Sequence, residues 1–150
     1  MKVLVCTDGS DYSQKAVEEA SKILKCYKNP EVTVTYVYER RSALDYNGRG
    51  DLYISDAVLE QLKEEAEKRK EEKKDMLRGA AKVFEKDGIN ADIELKEGHP
   101  AHTIAEMVEK EGFELVVMGS RGKSGLKRLF LCSVSNAVMH EVKCNVLIVK

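Results

Sequence analysis

The chain lacks three features that would assign it to a common functional class: an excess of charge of one sign, a long apolar run and a paired-cysteine motif. Its 150 residues include 25 basic and 26 acidic side chains, for a net charge of -1, whereas a dedicated nucleic-acid binder is usually markedly basic. The longest apolar runs, of four to six residues, are too short to cross a membrane. We therefore expect neither nucleic acid nor a membrane as a partner.

The cysteines show no Cys-x-x-Cys spacing, which argues against a disulfide framework or a zinc site and predicts reduced, mostly buried thiols. They are Cys6, Cys26, Cys132 and Cys144. Met1 and Lys2 lead directly into an apolar run, which leaves no room for a signal sequence, so we expect a cytoplasmic protein. At this length, residues 1–150 are expected to form one domain with a substantial core.

The most informative stretch is a strand, a loop and a helix start between Leu115 and Ser135. The apolar run Leu115–Met118 stops at a glycine, as a buried parallel strand does where it opens into a loop. Flexible glycines, positive charge and the amides of a helix start near Ser133 favour a phosphate cradle, although an ordinary flexible basic loop explains them equally well. The glycines are Gly119, Gly122 and Gly125, and the basic residues are Arg121, Lys123, Lys127 and Arg128.

Two well-known phosphate motifs do not fit this stretch. A P-loop needs a glycine five residues before its Gly-Lys-Ser unit, and the Gly-Lys-Ser at residues 122–124 would place that glycine at Val117. The dinucleotide fingerprint needs glycines two and then three residues apart. Here the spacing is three and three, so the cradle, if present, is of another kind.

The stretch does resemble the ATP-binding motif of the universal stress protein family. That motif is glycine, two residues, glycine, nine residues, glycine, then serine or threonine. Gly119 and Gly122 match the first two glycines and Ser133 matches the hydroxyl position, whereas Cys132 replaces the third glycine. The words around the motif and the terminal Val146–Lys150 are also similar to the family, so the resemblance covers the whole chain.

Along the chain, short β-branched or apolar runs alternate with helical patterns in the order β-α-β-α-β-α-β-α-β. This alternation predicts an α/β fold with a parallel sheet and helices on both faces, and the resemblance implies a Rossmann-like strand order 3-2-1-4-5. The third strand supports an edge position by itself, because Asp92, Glu94 and Lys96 give it one polar face. In this order the ligand site lies between strands 1 and 4, outside their carboxyl ends.

Residues from both carboxyl ends are therefore candidates for one nucleotide site. Asp8 follows strand 1 and either binds ribose or a nucleotide-bound Mg²⁺, as the matching family residue does, or caps the first helix. Val37, at the end of strand 2, matches the family position whose backbone meets adenine, and it also suits the core. The complete predicted set is Thr7, Asp8, Val37, Met118, Gly119, Ser120, Gly122, Cys132, Ser133 and Val134.

Other candidate sites are weaker. His99 and His102 lie three residues apart at a helix start, a spacing that suits a metal ion, but no third ligand is evident in the sequence. Ser133 and Ser135 have no nearby histidine and acid for nucleophilic catalysis. Any hydrolysis of ATP is therefore expected to be slow.

Three functions fit these residues. The first is a universal-stress-type protein that binds ATP, with Mg²⁺, as a regulatory switch in the stress response. The second is an interaction module of the same fold that has lost nucleotide, as Cys132 would allow. The third is an enzyme similar to the adenine-nucleotide α-hydrolases, but those carry a glycine-rich loop after strand 1, where this chain has a single glycine at Gly9.

Two further elements concern assembly. The last strand, formed by Val146, Leu147, Ile148 and Val149, is apolar on both faces although it lies at a sheet edge, which predicts a homodimer through this strand. Asn145 stands where the family usually has proline, so its amide is expected to join the pairing. A long helix is predicted from Asp56 to Lys86. Its apolar-free part, Glu67–Asp75, is typical of a solvated helix held by Glu–Lys pairs, or of a coiled coil that binds a partner.

Overall fold

The computed structural model describes residues 1–39, 55–122 and 132–150. In that part of the chain the element order is the predicted one, with five strands and four helices. They are β1 (Lys2–Cys6), α1 (Asp11–Leu24), β2 (Glu31–Tyr38), α2 (Asp56–Glu85), β3 (Ala91–Glu97), α3 (Pro100–Glu111), β4 (Leu115–Gly119), α4 (Ser133–Glu141) and β5 (Asn145–Val149). Residues 40–54, for which the sequence predicts a loop, lie outside the described residues. So does most of the basic loop predicted after the fourth strand, including Lys123, Ser124, Gly125, Lys127 and Arg128.

The strands form one parallel sheet in the order β3-β2-β1-β4-β5, which confirms the predicted order. β1 lies at its centre, where Val5 is in register with Val34 on one side and Val117 on the other. β3 and β5 are the edges. On β3, Asp92 is exposed and Lys96 pairs with Glu94 at 2.8 Å, so the edge is charged as expected.

The helices cover both faces of the sheet. On one face the apolar sides of α1 and α2 pack on β1 and β2 around Val17 and Phe84. On the other face α3 and α4 pack on β1 and β4 around Ile104 and Val138. The parallel strands are buried from both sides, which explains why the runs of β1 and β4 are continuously apolar.

The cap of α1 differs from the one that its sequence pattern indicates. Asp11 and Gln14 look like a capping box in the sequence, but the N-cap is Ser10, whose hydroxyl accepts from the Ser13 amide at 3.3 Å. The Gln14 side chain donates instead to Glu18 at 3.4 Å. Asp11 is already the first helical residue, where its carboxylate still favours the positive end of the helix.

α2 extends beyond the part of the sheet that it covers. Its last third is buried through Leu77, Ala80, Ala81 and Phe84, whereas all residues from Ser55 to Glu72 are exposed. The apolar stripe predicted for this helix therefore divides into a buried part and an exposed part. No helix in the described ranges is long and apolar enough to span a membrane.

The edge strand β5 corrects an expectation. The Asn145 amide donates to the Glu114 carbonyl of the same chain at 3.2 Å, so it is used by the sheet and adds no donor to a pairing between subunits. The prediction of mostly buried thiols is wrong: of the four cysteines, Cys6 alone is buried, Cys132 and Cys144 are partly exposed, and Cys26 is exposed just beyond the end of α1.

Candidate functional site

A cleft of about 560 Å³ opens at the carboxyl ends of the strands, between the two sheet halves. This volume is within the usual range for small-molecule sites. Nine of the ten residues predicted to bind a nucleotide line it. They are Thr7, Asp8, Val37, Met118, Gly119, Gly122, Cys132, Ser133 and Val134. The tenth, Ser120, is buried beneath the cleft.

Asp8 orders the turn before the first helix without capping that helix. Its Oδ1 accepts from the Ser10 amide at 3.0 Å and from the Ser10 hydroxyl at 2.6 Å, so it orders the turn that leads into α1. Ser10, not Asp8, is the cap itself. Asp8 also lines the cleft.

Beneath Asp8, two buried hydroxyls fix the turn. Thr7 donates its hydroxyl to Ser13 Oγ at 3.0 Å, and Ser13 Oγ donates to the Ser10 carbonyl at 2.9 Å. Sequence reasoning missed Ser13, whose position at the buried face of an amphipathic helix was the one available signal. Thr7 therefore stabilises this turn as well as lining the cleft.

Gly119 is required by the packing of β4 against α1. A Cβ at this position would lie 2.7 Å from the Tyr12 carbonyl carbon and 2.9 Å from the Ser13 amide nitrogen. Its carbonyl accepts the buried Ser135 hydroxyl at 2.8 Å, which ties the start of α4 to the end of β4. The sequence suggested that Gly119 binds phosphate. In the structure, glycine is needed at this position because the backbone of α1 approaches it closely.

The next residues connect the loop to its neighbours. The Ser120 amide donates to the Val149 carbonyl at 2.7 Å, and the Ser120 carbonyl accepts from the Cys132 amide at 2.9 Å. These two bonds hold β4, β5 and α4 together below the cleft. Arg121 donates to the Tyr12 hydroxyl at 3.1 Å, so this basic residue is packed against α1 at the rim.

Gly122 faces the Asp8 carboxylate. A Cβ on Gly122 would lie 2.7 Å from Asp8 Oδ2, a distance that real side chains do not tolerate. The absence of a side chain therefore lets the loop after β4 close on the turn after β1. This contact brings together two segments that are more than a hundred residues apart in the sequence.

Cys132 is the N-cap of α4 and has an ordinary backbone. Its φ is -64°, so the replaced third glycine does not require the left-handed conformation that disfavours other residues. Its sulfur accepts from the Ser135 amide at 3.4 Å and contacts the Ser135 hydroxyl at 2.9 Å. The thiol thus satisfies one of the free donors of the helix start.

Cys132→Gly tests whether this side chain limits nucleotide binding. If the third glycine position required a positive φ, glycine there would relieve strain and tighten binding about tenfold, but a φ of -64° leaves no strain to relieve. Glycine at an N-cap costs only a few tenths of a kcal/mol relative to a better cap. We expect the affinity of Cys132→Gly for ATP to stay within about threefold of the parent, measured by isothermal titration; a tenfold gain would show that the side chain obstructs the ligand.

Three residues that line the cleft beside Val37 were not predicted from the sequence: Tyr36, Tyr38 and Lys73. Tyr36 and Tyr38 flank Val37 on β2, their ring centroids 6.2 Å apart, and the ammonium of Lys73 from α2 lies 4.0 Å from the Tyr38 ring centroid. Burial first, and the charge of Asp8 second, raise the pKa of the Tyr36 hydroxyl. The alternation of Tyr36 and Tyr38 at the end of a strand could have indicated that they line the site. Nothing in the sequence distinguishes Lys73 from the other lysines of α2.

The one buried thiol at the cleft, that of Cys6, is unreactive at neutral pH. Burial, with a smaller contribution from Cys144, raises the pKa of Cys6 to about 12. Cys6 also lines the cleft, but at neutral pH its thiol is protonated and is not a nucleophile.

The two histidines do not share a site. His99 lines the cleft, whereas His102 pairs with Glu106 at 3.3 Å and lines a separate depression between α3 and the end of α4. The structure therefore gives no support to a metal site on this pair, which the sequence had already offered only as a weak candidate. Within the described ranges, no group of three His, Cys, Asp or Glu side chains is placed to hold a metal ion.

Fold and cleft together define a class: a parallel α/β protein with helices on both faces and a ligand-sized cleft where the strand order reverses. A sequence model of the universal stress protein family matches residues 1–150. The chain belongs to the universal stress protein family.

Individual relatives agree along nearly the full chain. Universal stress protein MJ0531 of Methanocaldococcus jannaschii is 34% identical over 149 residues, covering 99% of this chain and 81% of that protein. Universal stress protein YxiE of Bacillus subtilis is 33% identical over 149 residues, covering 99% and 98%. The solved structure of MJ0577, also from M. jannaschii, superposes with a TM-score of 0.81 at 29% identity, covering 99% of this chain and 94% of that one.

Two more distant structures share the fold and contain adenine nucleotides. A universal stress protein solved with cAMP has a TM-score of 0.66 at 24% identity and covers 100% of this chain and 96% of that one. One from Archaeoglobus fulgidus, solved with dAMP, has a TM-score of 0.62 at 18% identity and covers 100% and 98%.

Proposed function

We propose that this protein binds ATP in the cleft at the carboxyl ends of the sheet and acts as a regulatory switch in the cytoplasmic stress response. The observation that carries the proposal is the convergence of nine sequence-predicted residues on one cleft of about 560 Å³. The cAMP and dAMP complexes concern other proteins of this fold, and they show which ligand class to try first.

In this proposal the phosphates and ribose lie against the loop after β4 and the start of α4. Gly119 and Gly122 line the cleft, and Ser133 and Val134 are the first residues of α4. The amides at a helix start point away from the helix and favour negative charge. Adenine lies near Val37, in the position that the family resemblance implies.

Mg²⁺ would be bound mainly through the nucleotide. The described residues offer no three-ligand cluster, so phosphate oxygens must supply most of the coordination, and Mg²⁺ commonly keeps such phosphate and water ligands. Asp8 is the side chain that fits a supporting role, because its carboxylate lines the cleft while it also holds the turn. The ion would neutralise phosphate charge beside this carboxylate.

Gly122→Val tests the proposal. The first side-chain atom would collide with Asp8 Oδ2, so the Asp8 carboxylate must move and the valine side chain takes up part of the cleft that both residues line. We expect the affinity for ATP with Mg²⁺ to fall at least ~30-fold, or about 2 kcal/mol, in isothermal titration. The unfolding free energy should change by less than about 1 kcal/mol, because the obstructing atom is the end of a movable side chain.

Gly79→Ala is the matched control, since a Cβ at that helical position meets nothing within 4 Å. It should bind ATP like the parent. Unchanged affinity in Gly122→Val would contradict the site. A parent protein that binds no adenine nucleotide at all would favour the second function, a nucleotide-free interaction module, which Cys132 first suggested.

A further inference from the structure

Positive charge in the cleft is divided between its two ends. Of the described residues that line the cleft, Lys73 and Arg121 carry a permanent positive charge. Lys73 lies 4.0 Å from the centroid of the Tyr38 ring at the end of β2, whereas Arg121 follows β4. β1 separates β2 from β4 in the sheet, so these two strand ends lie roughly 10 Å apart. Arg121 is therefore the cation at the β4 end of the cleft.

The Arg121 side chain is held in place by Tyr12, in the first turn of α1. Its Nη1 donates to the Tyr12 hydroxyl at 3.1 Å, and its Cζ lies 5.2 Å from the centroid of the same ring. The guanidinium thus has both a hydrogen bond and a cation–π contact with one partner. Because both side chains are half-buried, the guanidinium is restrained while part of its surface stays open.

Most of the hydrogen-bond donors of Arg121 remain available for a ligand. A guanidinium has five N–H donors, and the bond to Tyr12 uses one of them. Among the residues that the structure describes, no carboxylate forms an ion pair with Arg121. An arginine in this state suits a phosphate group, which it binds through two parallel N–H groups.

The position of Arg121 determines which phosphates of a nucleotide it contacts. In the proposed function adenine lies near Val37, at the end of β2, and the phosphates lie against the start of α4 and the loop after β4. α4 and α1 pack on opposite faces of the sheet. Because Arg121 is held on the α1 side at the β4 end, it is nearest to the phosphates that lie furthest from the base.

We propose that Arg121, positioned by Tyr12, binds the terminal phosphates of the nucleotide and so makes the cleft favour a nucleoside triphosphate over a monophosphate. This inference rests on the proposed function, because it names the length of phosphate chain that the same cleft selects. Arg121 is the specificity-determining residue. Tyr12 is a positioning residue that acts through Arg121.

Arg121→Gln tests the proposal by comparing ATP with AMP, both titrated calorimetrically with Mg²⁺ present. The parent should bind ATP at least about tenfold more tightly than AMP, because the terminal phosphates add charge-assisted hydrogen bonds. Arg121→Gln should lose at least about tenfold in affinity for ATP. Its affinity for AMP should stay within about twofold of the parent, which also shows that the variant is folded.

Lys15→Gln is the matched control for the loss of a positive charge. The Lys15 ammonium lies 5.5 Å from the centroid of the Tyr12 ring, but Lys15 is exposed and is not among the residues that line the cleft. At about 0.15 M salt, where the Debye length is about 8 Å, this variant should bind both nucleotides within about twofold of the parent.

Tyr12→Phe separates the position of Arg121 from its charge. The change keeps the ring but removes the hydroxyl that accepts from Arg121, so the affinity for ATP should fall about threefold and that for AMP should not change. In the Arg121→Gln background the same change should have no further effect on ATP, because Tyr12 acts through Arg121.

The outcomes distinguish this inference from the proposed function. A parent that binds ATP and AMP equally, or an Arg121→Gln variant that loses affinity for both alike, overturns the inference and leaves nucleotide binding intact. A further loss of ATP affinity in the double variant overturns the positioning role of Tyr12. A parent that binds no adenine nucleotide overturns both the inference and the proposed function.

Discussion

Gly119→Ala is expected to lower the unfolding free energy by about 3 kcal/mol and the melting temperature by roughly 10 °C. The new methyl would lie 2.7 Å from the Tyr12 carbonyl carbon and 2.8 Å from its oxygen. These are backbone atoms at the start of α1, which cannot rotate away as a side chain can. Either α1 or the end of the interior strand β4 must move.

The measurement is chemical unfolding followed by circular dichroism, with no ligand present. Gly79→Ala is the control for alanine itself, because its Cβ meets nothing within 4 Å and alanine favours a helix over glycine by up to about 1 kcal/mol. The control should therefore be slightly more stable than the parent. Equal stability of Gly119→Ala and the parent would show that α1 and β4 do not approach this closely.

Ile148→Pro is expected to convert the proposed homodimer into a folded monomer. The Asn145 amide and the Val149 carbonyl both bond within the chain, to Glu114 and Ser120. Because backbone groups alternate along a strand, residues 145, 147 and 149 face β4, and Val146 and Ile148 direct their amides outward. Proline at position 148 removes an outward donor but no bond to β4.

Light scattering at low micromolar concentration gives the mass of the protein in solution. The parent should show twice 16.9 kDa and Ile148→Pro a single 16.9 kDa chain. Ile148→Ala loses the same apolar side chain but keeps the amide, so it should retain more dimer than Ile148→Pro. Leu147→Pro breaks the bond to β4 and should be insoluble or unstable. A parent mass of 16.9 kDa would exclude the dimer.

The alternation of apolar runs with helical patterns was enough to determine the order of elements and the parallel sheet. These features are local: β-branched runs such as Val32–Tyr38 favour strands, and a periodic face such as that of α1 favours a helix. The position of β3 at an edge was also readable, since Asp92, Glu94 and Lys96 need solvent or a charged partner. The family resemblance supplied the remaining strand order.

The candidate site was predicted as a set of residues, but the reasons for those residues came from tertiary contacts. Gly119 is a glycine because of Tyr12, and Gly122 because of Asp8. No periodicity in one segment can show which backbone from another segment will approach it. The same applies to Lys73, which reaches the cleft only because α2 crosses the end of β2.

The sequence by itself determined the family, the order of the elements and most of the residues around the cleft, because apolar patterns, glycine spacing and charge are properties of neighbouring residues. Only the tertiary structure decided where α2 leaves the sheet. The same apolar face of α2 is buried at Leu77 and exposed at Leu59, because the helix extends beyond the sheet. It also decided that Cys132 keeps φ at -64°, because that angle is set by the docking of α4 on Gly119 and Ser120.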